Sequence, residues 1–144
     1  KVIKNGRLTI ENWRLSTVHL FIISFMTYNI QQTSLSFALL VIDTYKFLTK
    51  IKKEYVLSKQ LLRSWTSIWA NIQEANQGSS KKDFLHKMNI SLKEAHETEY
   101  RITLLSHSEY LEWYTWTETL IAQSKEMVKV LIKIVKTTKE RLNE

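Results

Sequence analysis

Residues 56–84, VLSKQLLRSWTSIWANIQEANQGSSKKDF, decide the fold of this chain. In the first part, apolar residues recur at spacings of four, three, four and three, the pattern of a helix packed in a bundle. These residues are Leu61, Trp65, Ile68, Ile72 and Ala75. Gly78 can take the left-handed conformation that ends a helix, and Ser80 with Asp83 resembles a capping box. The short link makes the two helices antiparallel, so the stretch predicts a helical hairpin.

The composition of the whole chain also favours an all-α protein. Its 144 residues include no proline and only two glycines, Gly6 and Gly78, so few positions can interrupt a helix. The length suits one domain with a modest core. The absence of cysteine excludes disulfides, thiolate metal ligands and cysteine nucleophiles. The formal net charge of +7 modestly favours an anionic partner such as RNA.

Residues 1–33 differ from the rest and are predicted to be an N-terminal extension outside the bundle. Their apolar run, residues 18–26, has no helical period and is shorter than the roughly 20 residues that span a bilayer. No small-residue cleavage site follows it, so we expect a cytoplasmic protein without membrane association. Two interpretations remain open. Either Met26 is the natural start and residues 1–25 are an upstream extension, or these residues form an arm packed on the bundle.

Four helices with short links are predicted over residues 34–51, 57–76, 81–106 and 114–142. Helices of this length, joined by short links, form an up-down-up-down antiparallel four-helix bundle. The bundle is therefore predicted to occupy residues 34–144.

The first and fourth helices carry apolar residues on more than one side. The first has a main stripe of Ala38, Val41, Ile42, Tyr45 and Leu48, with Phe37, Leu39, Leu40 and Phe47 on its other sides. The fourth has a seam of Trp116, Leu120, Met127, Leu131, Ile134 and Thr138, and a second line of Ile121, Val128, Ile132 and Val135. Because such helices are usually covered on several sides, we expect contact with a second subunit.

No group of residues predicts a catalytic centre or a metal site, and no cofactor is expected. His96 begins a segment that resembles a zinc-protease helix, but Tyr100 replaces the second histidine that this motif needs. A di-iron bundle needs Glu-x-x-His pairs, and the chain contains none. Because no set of nucleophile, base and stabiliser can be assembled, the sequence predicts a non-enzymatic protein.

Positive side chains form ridges on the predicted helices and are the candidate nucleic-acid-binding residues. Each contact between a cationic side chain and a phosphate adds salt-sensitive affinity that is independent of base sequence. The candidates are Lys59, Arg63, Lys81, Lys82, His86, Lys93, Lys125, Lys129, Lys133 and Lys136. The alternative is that these side chains only cover the solvent-facing surface of the bundle.

Four of the tryptophans could in principle stack on unpaired bases. Trp65 and Trp116 lie in the predicted apolar seams, so they are expected in the core. Trp69 and Trp113 lie at the flanks, and both interpretations stay open for them.

Several blocks of sequence resemble the four-helix-bundle proteins encoded in 23S ribosomal-RNA intervening sequences. The blocks are residues 60–64 (QLLRS), 66–68 (TSI), 70–75 (ANIQEA), 80–84 (SKKDF) and 93–100 (KEAHETEY). Relatives of that family include the accessory variability determinant of diversity-generating retroelements. The resemblance implies a small non-enzymatic bundle that forms a homo-oligomer, a pentameric barrel. For the accessory determinant it also implies binding of nucleic acid and a reverse transcriptase through basic surface.

By this resemblance, Arg63, Lys81 and Lys82 match basic positions of the family, whereas Trp65 and Trp69 stand where glycine is typical. Overpacking typically costs about 1–3 kcal/mol per site, so the indoles would push neighbouring helices apart unless those helices make room. We expect a homo-oligomer that binds RNA or DNA. The alternative is a structural or protein–protein interaction module that uses helix-to-helix docking.

Overall fold

The computed structural model describes residues 30 and 32–142, so the expectations for residues 1–29 lie outside it. Its helices are α1, with described residues 30 and 32–50, α2 (Leu57–Asn76), α3 (Lys81–His107) and α4 (Thr117–Leu142). The described residues contain no strand. The boundaries of α2 are those predicted, while α1 already includes residue 30, before its predicted start at 34, and α4 begins at residue 117 rather than 114.

Each helix packs against the helix that follows it in the chain. α3 contacts both α2 and α4. α1 meets α2 where the Phe37 and Trp65 rings make an edge contact, with centroids 4.6 Å apart and planes at 74°. The short links make successive helices antiparallel. The predicted all-α, antiparallel four-helix bundle is confirmed.

The apolar seam predicted for α2 is buried along its whole length, including Trp65. The core also contains Phe37, Val41 and Leu48 of α1, Met88, Ala95, Ile102 and Leu105 of α3, and Leu120, Met127, Leu131 and Ile134 of α4. The indole of Trp65 is therefore a fitted core side chain, accommodated beside Phe37 of α1.

The stripe predicted for α1 was partly wrong. Val41 and Leu48 are buried as expected, but Phe37 is also buried, whereas Ile42 is 40% exposed. The buried positions of α1 include the small polar residues Ser34 and Thr44. A prediction from apolar residues alone does not count Ser34 and Thr44 as buried positions. The predicted buried face of α1 was therefore rotated around the helix axis relative to the observed one.

On α4, the predicted seam is buried from Leu120 to Thr138, but Trp116 is 51% exposed. Trp116 precedes Thr117, the first residue of α4, so the helical period does not extend to it. The second apolar line of α4 was predicted to lie outside the core of one bundle. This was only partly right, because Val128 and Val135 are buried within the bundle while Ile132 is exposed.

The turn between α2 and α3 is built differently from the expected left-handed glycine. Gly78 does not have a positive φ. Instead, a Cβ atom at this position would stand 2.8 Å from Asp83 Oδ2 and 3.1 Å from Ala75 O. The Asp83 carboxylate can swing away from such an atom, so the backbone oxygen of Ala75 is the contact that favours glycine at this position. The predicted cap of α3 is confirmed, since Asp83 N–H donates to Ser80 Oγ at 3.1 Å.

The N-terminus of α2 is capped by Glu54, a role that the sequence did not suggest. This carboxylate is buried and accepts hydrogen bonds from the N–H groups of Val56 at 2.9 Å, Leu57 at 2.8 Å and Ser58 at 2.7 Å. Burial alone would raise the pKa of Glu54, but donation by these N–H groups outweighs it and lowers the pKa. These hydrogen bonds hold the end of the α1–α2 link against the start of α2.

Within the described residues, no helix combines the length and the apolar character needed to cross a bilayer.

Candidate nucleic-acid interface

All ten candidate cationic residues are exposed on the surface of the bundle. They lie on α2, α3 and α4, on the side of each helix that faces away from the core. On α4 this follows from spacing, because Lys125, Lys129, Lys133 and Lys136 alternate with the buried seam at helical period. Burial of the seams therefore turns the cations toward solvent.

None of the ten candidates forms an ion pair with a carboxylate among residues 30 and 32–142. The ion pairs found there involve other side chains. Lys87 of α3 bonds to Glu74 of α2, and this hydrogen bond raises the pKa of Lys87. Arg101 bonds to Glu97 at 3.0 Å, and His96 lies 3.9 Å from Glu99. The candidate cations thus remain available to an anion from outside the chain.

The exposed side of α3 carries a line of cationic, polar and aromatic side chains that contains no carboxylate. This outer line consists of Lys82, His86, Lys93, His96, Tyr100, Thr103 and His107, at spacings of three, four or seven residues. The acidic residues of α3 are only partly exposed and lie off the line. Of this line, Lys82, His86 and Lys93 were predicted as candidates from the sequence, so its extension to His107 was missed. α3 lies between α2 and α4, which places the outer line at the centre of the basic surface.

The ten candidates do not converge on one pocket. Lys59 and Arg63 lie on α2, on one flank of α3, and the four lysines of α4 lie on the other flank. Exposed carboxylates, such as Glu74 on α2 and Glu126 on α4, interrupt these flanks. Such a convex, mostly positive surface can contact an extended polyanion at several phosphates, but it does not enclose a small anion.

One end of the bundle carries exposed aromatic rings. We call this group the aromatic end: Tyr55 in the α1–α2 link, and Tyr110, Trp113 and Trp116 in the α3–α4 link. Trp113 is 86% exposed, and Trp69, the other open candidate, is only partly exposed on α2. The sequence signal for this site is aromatic residues every third position through residues 110–116, which helical periodicity does not detect.

The α3–α4 link is held against the bundle by two buried residues, Leu111 and Tyr114. The Tyr114 hydroxyl donates to Asp43 Oδ2 at 3.2 Å and lies 3.1 Å from the Thr44 hydroxyl. Its ring stacks at a tilt on Phe47, with centroids 4.7 Å apart. Burial raises the pKa of Tyr114, so the phenol stays protonated and able to donate. The link thus has a defined conformation.

Comparison with known proteins identifies the family of this chain. The sequence pattern of the family described as 23S rRNA-intervening sequence protein matches residues 26–133. A crystal structure of a protein with unknown function, from the S23 ribosomal protein family of Bacteroides thetaiotaomicron, is 47% identical to this chain. The match covers 77% of this chain and 98% of that one, with a TM-score of 0.72. No curated protein matches the chain. With three quarters of its length matched, this chain belongs to the 23S rRNA-intervening sequence protein family.

Proposed function

We propose that this protein is a non-enzymatic, homo-oligomeric bundle that binds RNA through the basic surface of α2, α3 and α4. The observation that carries the proposal is that all ten candidate cations are exposed and none is paired with a carboxylate in the described part of the chain. The family description refers to 23S rRNA, which makes structured RNA the first polyanion to test.

Binding by such a surface is electrostatic and follows the shape of the RNA backbone. Lysine ammonium groups neutralise phosphates one by one and release the counterions condensed around them. The affinity is therefore insensitive to base sequence and falls steeply as salt rises. With six or more phosphate contacts, the affinity drops by about a thousandfold or more between roughly 50 and 200 mM salt.

Filter binding of the full chain to structured RNA at these two salt concentrations tests the proposal. We expect tight binding at the lower concentration and at least about a hundredfold loss at the higher one. Absence of binding at low salt, or an affinity that does not change with salt, would contradict the proposal.

A second candidate function is helix-to-helix docking, and a specific feature of α1 favours it. Leu35, Leu39 and Ile42 form an apolar line on the side of α1 opposite its buried stripe, and Leu39 is 62% exposed. An exposed apolar line at helical spacing is the usual form of a helix–helix interface. We propose that this line contacts a second copy of the chain, in keeping with the pentamer that the family resemblance implies. Light scattering coupled to size exclusion measures the number of copies.

A further inference from the structure

We propose that the aromatic end is a stacking platform for unpaired bases, so that the RNA bound there is single-stranded. The proposal rests on the proposed function and specifies the form of RNA that the protein recognises. Nucleobases are the ligands that fit this group, because flat aromatic rings stack on any base. Lysines alone do not distinguish single strands from duplexes.

The first support is the geometry of the α3–α4 link, which exposes three of its aromatic rings to solvent. Turn hydrogen bonds join residues three apart, from Glu112 N to Glu109 O, from Tyr114 N to Leu111 O and from Thr117 N to Tyr114 O, at 3.1–3.2 Å. Leu111 and Tyr114 are buried, whereas Tyr110, Trp113 and Trp116 are exposed, so these three rings face solvent.

The second support is the backbone of the two links at this end. Among the described residues, the non-glycine residues with positive φ are Lys53 at 55°, Glu109 at 63° and Trp113 at 68°. All three lie in the α1–α2 or α3–α4 link. A bulky residue with positive φ is an energetic outlier, and the Trp113 ring gains little from packing because it is so exposed. A strained position that presents a bare indole to solvent is typical of a ligand contact.

The third support is the arrangement of charge around the rings. The α1–α2 link and the helix ends beside it contribute Lys50, Lys52, Lys53 and Lys59. Lys52 Nζ donates to Glu109 O at 3.3 Å, which places this lysine-rich link directly against the aromatic link. The outer line of α3 leads to the same end through Tyr100 and His107. A strand whose phosphates follow these cations brings its bases within reach of the rings.

Carboxylates on the aromatic link itself, Glu109 and Glu112, set the orientation of such a strand. Both are exposed and repel phosphates. The phosphates are therefore directed toward the lysines of the neighbouring link, and the uncharged bases toward Trp113 and its neighbours.

Fluorescence anisotropy with the full chain at low salt tests the platform. The probes are an unstructured RNA of about 12 nucleotides and the blunt duplex that it forms with its complement. The variants are Trp113→Asn, which removes the ring with a residue that tolerates positive φ, and Trp113→Tyr, which keeps a ring. Ala70→Asn serves as the control, since it introduces the same side chain at an exposed apolar position of α2, away from both links of the aromatic end.

We expect Trp113→Asn to weaken single-strand binding at least about fivefold and to leave duplex binding within about twofold. Trp113→Tyr and Ala70→Asn should both stay within about twofold of the wild-type affinity for the single strand. If Trp113→Asn binds the single strand as tightly as the wild type does, the stacking platform is overturned while the proposed RNA binding still stands. Failure of the wild-type chain to bind either RNA overturns the proposed function as well.

Discussion

At the scale of single residues, Glu54 shows how one carboxylate organises a helix start. Its two oxygens accept three N–H groups of the first turn of α2, where the helix dipole also favours negative charge. Because the pKa of Glu54 is lowered in the folded protein, its contribution is complete above the ordinary glutamate pKa of about 4.5. The contribution is lost as pH falls through the lower pKa of the folded state.

We therefore expect Glu54→Ala to reduce the free energy of unfolding by about 1–3 kcal/mol at pH 7, since three N–H groups lose their acceptor. The deficit should shrink as the pH falls below about 4. Urea denaturation at several pH values measures both effects, with Glu112→Ala as a control at an exposed carboxylate. A deficit that stays constant from neutral to acidic pH would show that the ionised cap is not responsible.

Trp113, in contrast to Glu54, is expected to lower the free energy of unfolding. Its positive φ of 68° suits glycine, and its exposed ring contributes little packing. We expect Trp113→Gly to raise the free energy of unfolding by about 1 kcal/mol. Tyr110→Gly, at a neighbouring position without positive φ, should lower it. Thermal and urea unfolding measure the two changes. A loss of stability in Trp113→Gly would mean that the indole is a packing residue, which would remove one support for the stacking platform.

At the scale of the elements, α1 combines a buried stripe with an apolar line on its outer side. The line of Leu35, Leu39 and Ile42 is not needed to complete the fold of one chain, because the stripe through Phe37 already fills the core. We propose that it serves contact between chains.

Substituting Leu39 by lysine places a charge in the middle of that line without touching the core. We expect Leu39→Lys to reduce the number of copies measured by light scattering, while the helical content stays that of the wild type. Ile51→Lys, at an equally exposed apolar residue in the α1–α2 link, is the control. An unchanged oligomer in Leu39→Lys would direct the search for the interface to another face.

For the whole molecule, the sequence predicted the bundle because almost nothing in residues 34–142 interrupts the helical period. The exposure of the candidate lysines was predictable for the same reason, since they lie opposite the seams. Small hydroxyl residues in the core were not predictable from hydrophobicity. The Ser64 and Thr98 hydroxyls, for example, lie 2.9 Å apart between α2 and α3, where their small size allows close approach.

The links account for the other differences. Trp116 was assigned to a helical seam because the period was extended into a segment of turns. The aromatic end depends on Tyr114 being anchored by Asp43 and Thr44 of α1, a contact across about seventy residues of chain that no local pattern contains. The cap by Glu54 is missed similarly, because glutamate three residues before a helix is not a usual N-cap.

Binding of RNA phosphates by the basic surface is tested by the salt dependence of affinity in two matched variants. Lys129→Gln with Lys133→Gln removes two unpaired cations of α4. Lys46→Gln with Lys87→Gln removes the same charge outside the proposed surface, and Lys87 is already bonded to Glu74. We expect the slope of log affinity against log salt to fall by about two in the first variant and to stay unchanged in the second. Equal slopes in the two variants would show that Lys129 and Lys133 do not contact RNA phosphates.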